Sequence, residues 1–296
     1  MPAECFLSSI TDKESIVTAI DNAPRFPEIL TIQQNKYADS ISLFKTLVAR
    51  ASSSAELLET IRGPSIKKDD RMSLLKMFRR CVSPVIDTEK AKKIKAIKTE
   101  SLVSNYGHTF KSIEVLQRQM ADLDDLSTAA LASLIGEYDT RGQSGYELTL
   151  RFFNWFNQRF DDEFSIEGPV GAGRDIELSS IFTDYKGSFP CDFVIRRLSD
   201  GNVVAVGFAR YDSTRGGAQS DDRTGGNSNK VDKAIEFCRT TDNLFKILFV
   251  SDGPGLTHND TWQEACELDG AWNGNSRVTT LKTADIRVTS DWLNSN

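Results

Sequence analysis

The chain has 296 residues, with 36 Lys and Arg against 42 Asp and Glu, and a formal net charge of −6. Hydrophobic residues make up 39% and charged residues 26%, a balance that supports a buried core and excludes global disorder. No apolar run nears the ~18 residues of a membrane helix, and MPAECFLSSITDKES lacks the basic-then-apolar order of a signal peptide, so neither is expected.

The charge is segregated. From Arg62 to Glu100 twelve basic residues meet five acids, a local +7, whereas from Asp161 onward fourteen bases meet twenty-two acids, a local −8. A basic block inside an acidic chain points to a polyanion partner. Residues 1–140 read as a mainly helical region suited to DNA binding or dimerisation. Met72, Leu75, Phe78 and Val82 recur at helical spacing, with Lys76, Arg79 and Arg80 between them, and Ser83-Pro84 closes that helix. A second helix is expected over Thr88–Ser101 with the lysine cluster, a third over Ser112–Ala121, and a fourth over Ser127–Tyr138 with Ser127 as its N-cap.

The pattern changes near Arg141, and residues 141–296 read as a second region. Gly145–Phe160 is an amphipathic helix with Leu148, Phe152, Trp155 and Phe156 on one face. Short β-prone segments follow at Phe164–Glu167, Ile176–Phe182, Phe189–Leu198 and Val203–Tyr211, the last two joined by the turn Ser199-Asp200-Gly201-Asn202. A polar, Gly-rich loop is expected over Asp212–Asn229, then a helix to Thr240, a buried strand at Phe245–Val250 and a strand at Val278–Leu281. This order suits an α/β (α+β) fold, a mixed central β-sheet flanked by helices. The five cysteines are scattered without a CxxC pair and only His108 and His258 could assist them, which argues against a zinc site and favours a reduced, cytoplasmic protein.

Pro190-Cys191-Asp192 opens one strand, and Val203–Tyr211 is its hairpin partner, ending in Arg210 and Asp212. Such a hairpin brings oxygen ligands from rigid elements to one edge, as a hard divalent cation requires. At residues 141–285 the arrangement resembles the PD-(D/E)XK nuclease superfamily, and specifically type II restriction endonucleases. The likeness rests on Pro190-Cys191-Asp192 in place of the first motif, on the second strand, on the flanking helices and strand, and on the runs Phe208–Gly226 and Leu248–Leu256.

The resemblance implies a restriction-endonuclease-like core and Mg2+-dependent, site-specific hydrolysis of double-stranded DNA by a homodimer. The second motif departs from the family pattern, because Gly207-Phe208-Ala209-Arg210 carries neither the acid nor the lysine. The resemblance therefore implies Asp192 as principal metal ligand with Asp175, Glu177 or Asp212. Arg210, Asp212, Glu177 and Glu147 join Asp192 as candidate catalytic residues. Arg210 stays charged near neutral pH and so would bind phosphate rather than serve as base. Arg215, Gln219, Arg223, Asn227 and Lys230 of the polar stretch, with Lys67, Lys68, Arg79 and Arg80 of the basic block, are candidate DNA contacts. The missing acid and lysine keep a DNA-binding protein without cleavage open as an alternative, and the basic helices leave room for a protein-interaction module.

Overall fold

The computed structural model describes residues 5–137, 139, 142–214 and 219–295, without the side chains of 219–225. The chain forms two compact units, Ala23–Arg141 and Gly142–Asn296, the latter together with Met1–Asn22.

The first of these units is all helix: α1 Glu28–Arg50, α2 Ser54–Arg62, α3 Lys68–Cys81, α4 Thr88–Ala91, α5 Thr99–Tyr106, α6 Ile113–Ala121 and α7 Asp125–Gly136. Tyr37, Ile41, Phe44 and Val48 form a buried stripe at helical spacing on α1. They meet Leu74, Leu75, Met77 and Phe78 of α3 and Leu131, Ala132 and Ile135 of α7 in one apolar core.

Two expectations are corrected here. The helix expected over Thr88–Ser101 is two helices, α4 and α5, separated by a lysine-rich turn. Arg62 reaches into that turn and takes the Ala91 carbonyl at 2.8 Å, along with the Ile97 carbonyl, so those oxygens serve a side chain instead of a continuing helix. The cap of α7 is Asp124, not Ser127, since its carboxylate accepts the Ser127 N–H at 2.8 Å.

The other unit opens with α8 Gln143–Phe160, followed by β1 Phe164–Glu167, β2 Ile176–Glu177, β3 Pro190–Cys191, β4 Phe193–Arg197 and β5 Val203–Tyr211. Then come α9 Gln219–Thr240, β6 Lys246–Asp252, α10 Asn259–Leu268, β7 Ser276–Thr279, α11 Ala284–Arg287 and α12 Ser290–Asn294. The five-stranded sheet has the order β1-β4-β5-β6-β7, and β2 pairs with β3 apart from it. The β1–β4 and β4–β5 pairs are antiparallel, whereas β5–β6 and β6–β7 are parallel. A crossover through α9 therefore joins β5 to β6, as parallel neighbours require. The fold is thus mixed α/β, a mixed sheet flanked by helices, with a helical N-terminal region.

The aromatic face of α8 is core. Phe152, Phe153, Phe156 and Phe160 pack with Phe193, Ile195, Leu248 and Val250. The opposite sheet face meets α9 and α10 through Val206, Phe208, Phe249, Val231, Phe237 and Trp262. The expected strand Ile176–Phe182 is only two residues long before a 3-10 turn at Leu178–Ser180. The Glu177 carboxylate bends the chain there by accepting the Phe189 N–H at 2.9 Å. The loop expected over Asp212–Asn229 is helical from Gln219 onward. Buried Val231, Ala234 and Phe237 anchor the later turns of that helix, and its polar, glycine-containing first turns give no apolar periodicity to read.

Buried acids tie the outer segments to the sheet. Asp252 accepts from Thr18 N at 2.7 Å, Gly253 N at 2.8 Å and Leu281 N at 3.0 Å. Asp269 accepts from Leu7 N at 3.2 Å and Val278 N at 3.0 Å and pairs with Arg287.

Gly207 is pinned by packing. A Cβ there would lie 1.9 Å from Cζ of Phe193, its cross-strand partner. Gly207→Ala is therefore expected to destabilise the protein by roughly 1–3 kcal/mol. Adding Phe193→Leu should recover part of the loss. Thermal melts of both variants check this, and equal melting temperatures for Gly207→Ala and the parent would refute it.

Candidate active site

Asp192 sits at the break between β3 and β4. Its N–H donates to the Gly207 carbonyl at 2.9 Å, and its Oδ2 accepts the Ala209 N–H at 2.7 Å. The side chain thus continues the β4–β5 ladder where backbone pairing stops, which fixes the plane of the carboxyl group. Gly168 packs against the same point, because a Cβ on it would fall 2.3 Å from the Asp192 carbonyl oxygen.

Asp192 lines two cavities. One, of about 630 Å³, is bounded by Gly142, Gly145, Tyr146 and Thr149 of the α8 region and by the segment Gly171–Asp175. The other, of about 250 Å³, is bounded by Phe208, Arg210, Asn227, Lys230 and Ser251.

Lys230 comes from α9, not from β5. Its Nζ lies 3.6 Å from the centroid of the Phe208 ring, a cation–π contact in a partly desolvated setting. Burial pushes the Lys230 ammonium below its ordinary value, while Asp192, Cys191 and Asp175 pull it back up. Burial likewise raises Asp192, and Asp175 adds like-charge repulsion, whereas the Ala209 N–H and Lys230 oppose both effects. Asp192, Asp175 and Lys230 therefore act on one another electrostatically. The neighbouring Cys191 thiol is pushed up to about 12, first by burial and then by Asp192, so it is protonated near neutral pH and unsuited to nucleophilic work.

Of the other candidates, Arg210 lines the smaller cavity with Asp192, while Asp212, Glu177 and Glu147 are held by other partners. Arg210 Nε donates to Asp212 Oδ1 at 2.8 Å, and its Nη1 lies 3.9 Å from Glu264. Asp212 is buried and lies at the end of β5, where its N–H bonds the Asp252 carbonyl at 2.8 Å. Glu177 accepts from Ser188 and Phe189. Glu147 pairs with Arg151 at 2.7 Å, one turn along α8, and is not among the α8 residues that line the larger cavity.

Among the expected DNA contacts, Arg215 lies outside the described residues, as do the side chains of Gln219 and Arg223, which fall on α9. Asn227 donates to Glu264 at 3.0 Å. Lys67 and Lys68 are exposed at the start of α3. Arg79 donates to the Ile86 carbonyl at 3.0 Å, and Arg80 pairs with Glu137 at 2.6 Å.

Two features escaped sequence reasoning. The sequence makes Lys230 a candidate DNA contact at the end of the polar stretch and gives no sign of its approach to Asp192, because the helix that carries it has no apolar periodicity in its first turns. The Gly171-Ala172-Gly173-Arg174 wall of the larger cavity was not singled out, although its glycines give the only sequence signal for close approach by a ligand backbone. Comparison of the chain with known family models, with curated proteins and with solved structures found no match.

The coupling has a testable sign. Asp192→Asn removes an attraction that favours the charged form of Lys230, so the Lys230 midpoint should fall further below the usual lysine value. A ¹³C NMR titration of the lysine ε-carbons checks this. A midpoint that stays in place or rises would show that the two groups do not interact.

Proposed function

We propose that this chain is a metal-dependent endonuclease of the type II restriction class, hydrolysing phosphodiester bonds within a short sequence of double-stranded DNA. The observation that carries the proposal is the meeting of Asp192, Asp175 and a partly buried Lys230 where two cavities adjoin. The set supplies an acid at the end of a strand and a lysine beside it, the parts absent from the β5 sequence itself.

The donor chemistry fits a hard cation. Asp192 and Asp175 offer carboxylate oxygens that repel one another, a repulsion that a divalent ion would relieve. Oxygen ligands in small number suit Mg2+, which keeps several of its waters. When bound, Mg2+ lowers the pKa of water and offsets charge on a phosphate.

The protein's own groups do the rest. The Ala209 N–H orients Asp192. Lys230, with its ammonium weakened by burial, can hold or move a proton at Nζ near the scissile phosphate, which an arginine cannot do near neutral pH. Arg210, held by Asp212, presents fixed positive charge on the wall of the smaller cavity. That charge can meet a phosphate oxygen. Two-fold symmetric DNA sites fit a homodimer. Among the described residues, no helix is long and apolar enough to cross a membrane.

Digestion of plasmid and phage DNA with Mg2+ tests the proposal. Discrete, metal-dependent fragments are expected from the parent chain. Lys230→Met should lose roughly 10²-fold or more of the cleavage rate, the range of a single acid–base group, and Asp192→Asn, which removes a cation-binding carboxylate, should lose at least as much. Lys230→Arg should be as poor as Lys230→Met if the proton passes through Nζ. Undiminished cutting by Asp192→Asn would sink the site, and DNA binding by the parent chain with no cutting at all would favour the non-cleaving alternative.

A further inference from the structure

The basic residues between Arg62 and Lys98 fall into two classes. Some are internal. Arg62 is only 5% exposed, and its guanidinium donates to the Ala91 carbonyl at 2.8 Å, to Thr99 Oγ1 and to the Ile97 carbonyl. Arg71 donates to the Gly63 and Ile66 carbonyls at 3.0 and 2.6 Å, and Lys76 pairs with Asp139 at 2.9 Å. The second class points outward. Lys90, Lys92, Lys93, Lys95 and Lys98 are all exposed on or beside the turn between α4 and α5.

This turn is built rather than loose. Lys93 N bonds the Lys90 carbonyl at 3.0 Å, Ala96 N the Lys93 carbonyl at 3.1 Å, and Ile97 N the Lys93 carbonyl at 3.0 Å. Arg62 clamps Ala91 and Ile97, so one buried guanidinium holds both ends of a short knuckle that carries the lysines. Of the nearby acids, Asp87 caps α4 by accepting the Glu89 and Lys90 N–H groups, and Glu89 pairs with Lys92. Among the described residues, no carboxylate pairs with Lys90, Lys93, Lys95 or Lys98.

We propose that the Lys90–Lys98 knuckle is a sequence-independent contact for the phosphate backbone of duplex DNA. The identity of the polyanion rests on the endonuclease reading, and the knuckle itself does not. Duplex DNA carries one charge per ~1.7 Å of axis, a density that a compact group of lysines on one turn can match. Lysine's flexible point charge suits such contacts, which position a duplex without reading bases.

The test uses the full chain and a random-sequence 30-base-pair duplex in EDTA, with binding followed by fluorescence anisotropy between roughly 50 and 200 mM salt. Replacing Lys90, Lys93, Lys95 and Lys98 by Gln should weaken binding at least tenfold at the lowest salt. The slope of log K against log salt should flatten by up to about 3.6, near 0.9 for each of the four lost phosphate contacts. The side chains are exposed, so the melting temperature should be unchanged. Arg62→Lys, which keeps the charge but loses the fork, should weaken binding by a smaller factor. An unchanged slope and affinity overturn the proposal, as does loss of polyglutamate binding with DNA binding intact. The two readings fail separately. A parent chain that binds through the knuckle but never cuts sinks only the endonuclease, and a quadruple variant that binds DNA like the parent sinks only the knuckle.

Discussion

The hydrogen bond from the Ala209 N–H to Asp192 Oδ2 is the contact on which the arrangement of the candidate site depends. It makes a side chain act as the next rung of the β4–β5 ladder, so the carboxyl group is placed by backbone geometry rather than by rotamer choice. Placed there, it opens onto a cavity on either side. The same position withdraws it from water, which raises its proton affinity and makes a nearby cation favourable. Orientation, partial burial and electrostatic need thus arise from one contact.

Packing beneath this contact explains the unusual sequence of β5. Phe193 faces Gly207 across the ladder, and its ring occupies the space in which a side chain at 207 would stand. An acid cannot be carried there. Phe208, one residue on, belongs to the core and offers its ring to Lys230. Arg210 is held by Asp212. Lys230 of α9, a neighbouring element, lines the smaller cavity with Asp192, and burial weakens its ammonium.

What could be read in the sequence follows from which physical signals are local. Strand β5, helix α8 and the hairpin turn at 199–202 announce themselves through periodicity and turn residues, and all three are present. The mixed α/β architecture follows from their order. Asp192 could be named because a strand-initiating acid is visible in one dimension. Lys230 is legible as a candidate DNA contact but not as a neighbour of Asp192, since its approach depends on a crossover of parallel strands and on a helix whose early turns are polar. The same limit applies to α4 and α5. Helical propensity runs through Thr88–Ser101, whereas the Ala91 and Ile97 carbonyls there accept from Arg62, which arrives from α2.

The charge segregation also changes meaning when distance replaces sequence. Part of the acid excess is structural. Asp252 and Asp269 are buried and bind backbone N–H groups that hold residues 7 and 18 to the sheet unit, so they contribute to the fold rather than to a repulsive surface. Part of the basic excess is structural too, because Arg62 and Arg71 satisfy carbonyls left by helix ends and turns. What is left for a partner is narrower than the totals suggest: an acid pair with a lysine in one unit, and a knuckle of lysines in the other. In the first group burial raises the proton affinity of Asp192 and lowers that of Lys230, and each opposes the effect of burial on the other. The second is exposed on a turn whose end carbonyls accept from the buried Arg62 guanidinium and whose backbone is bonded to itself.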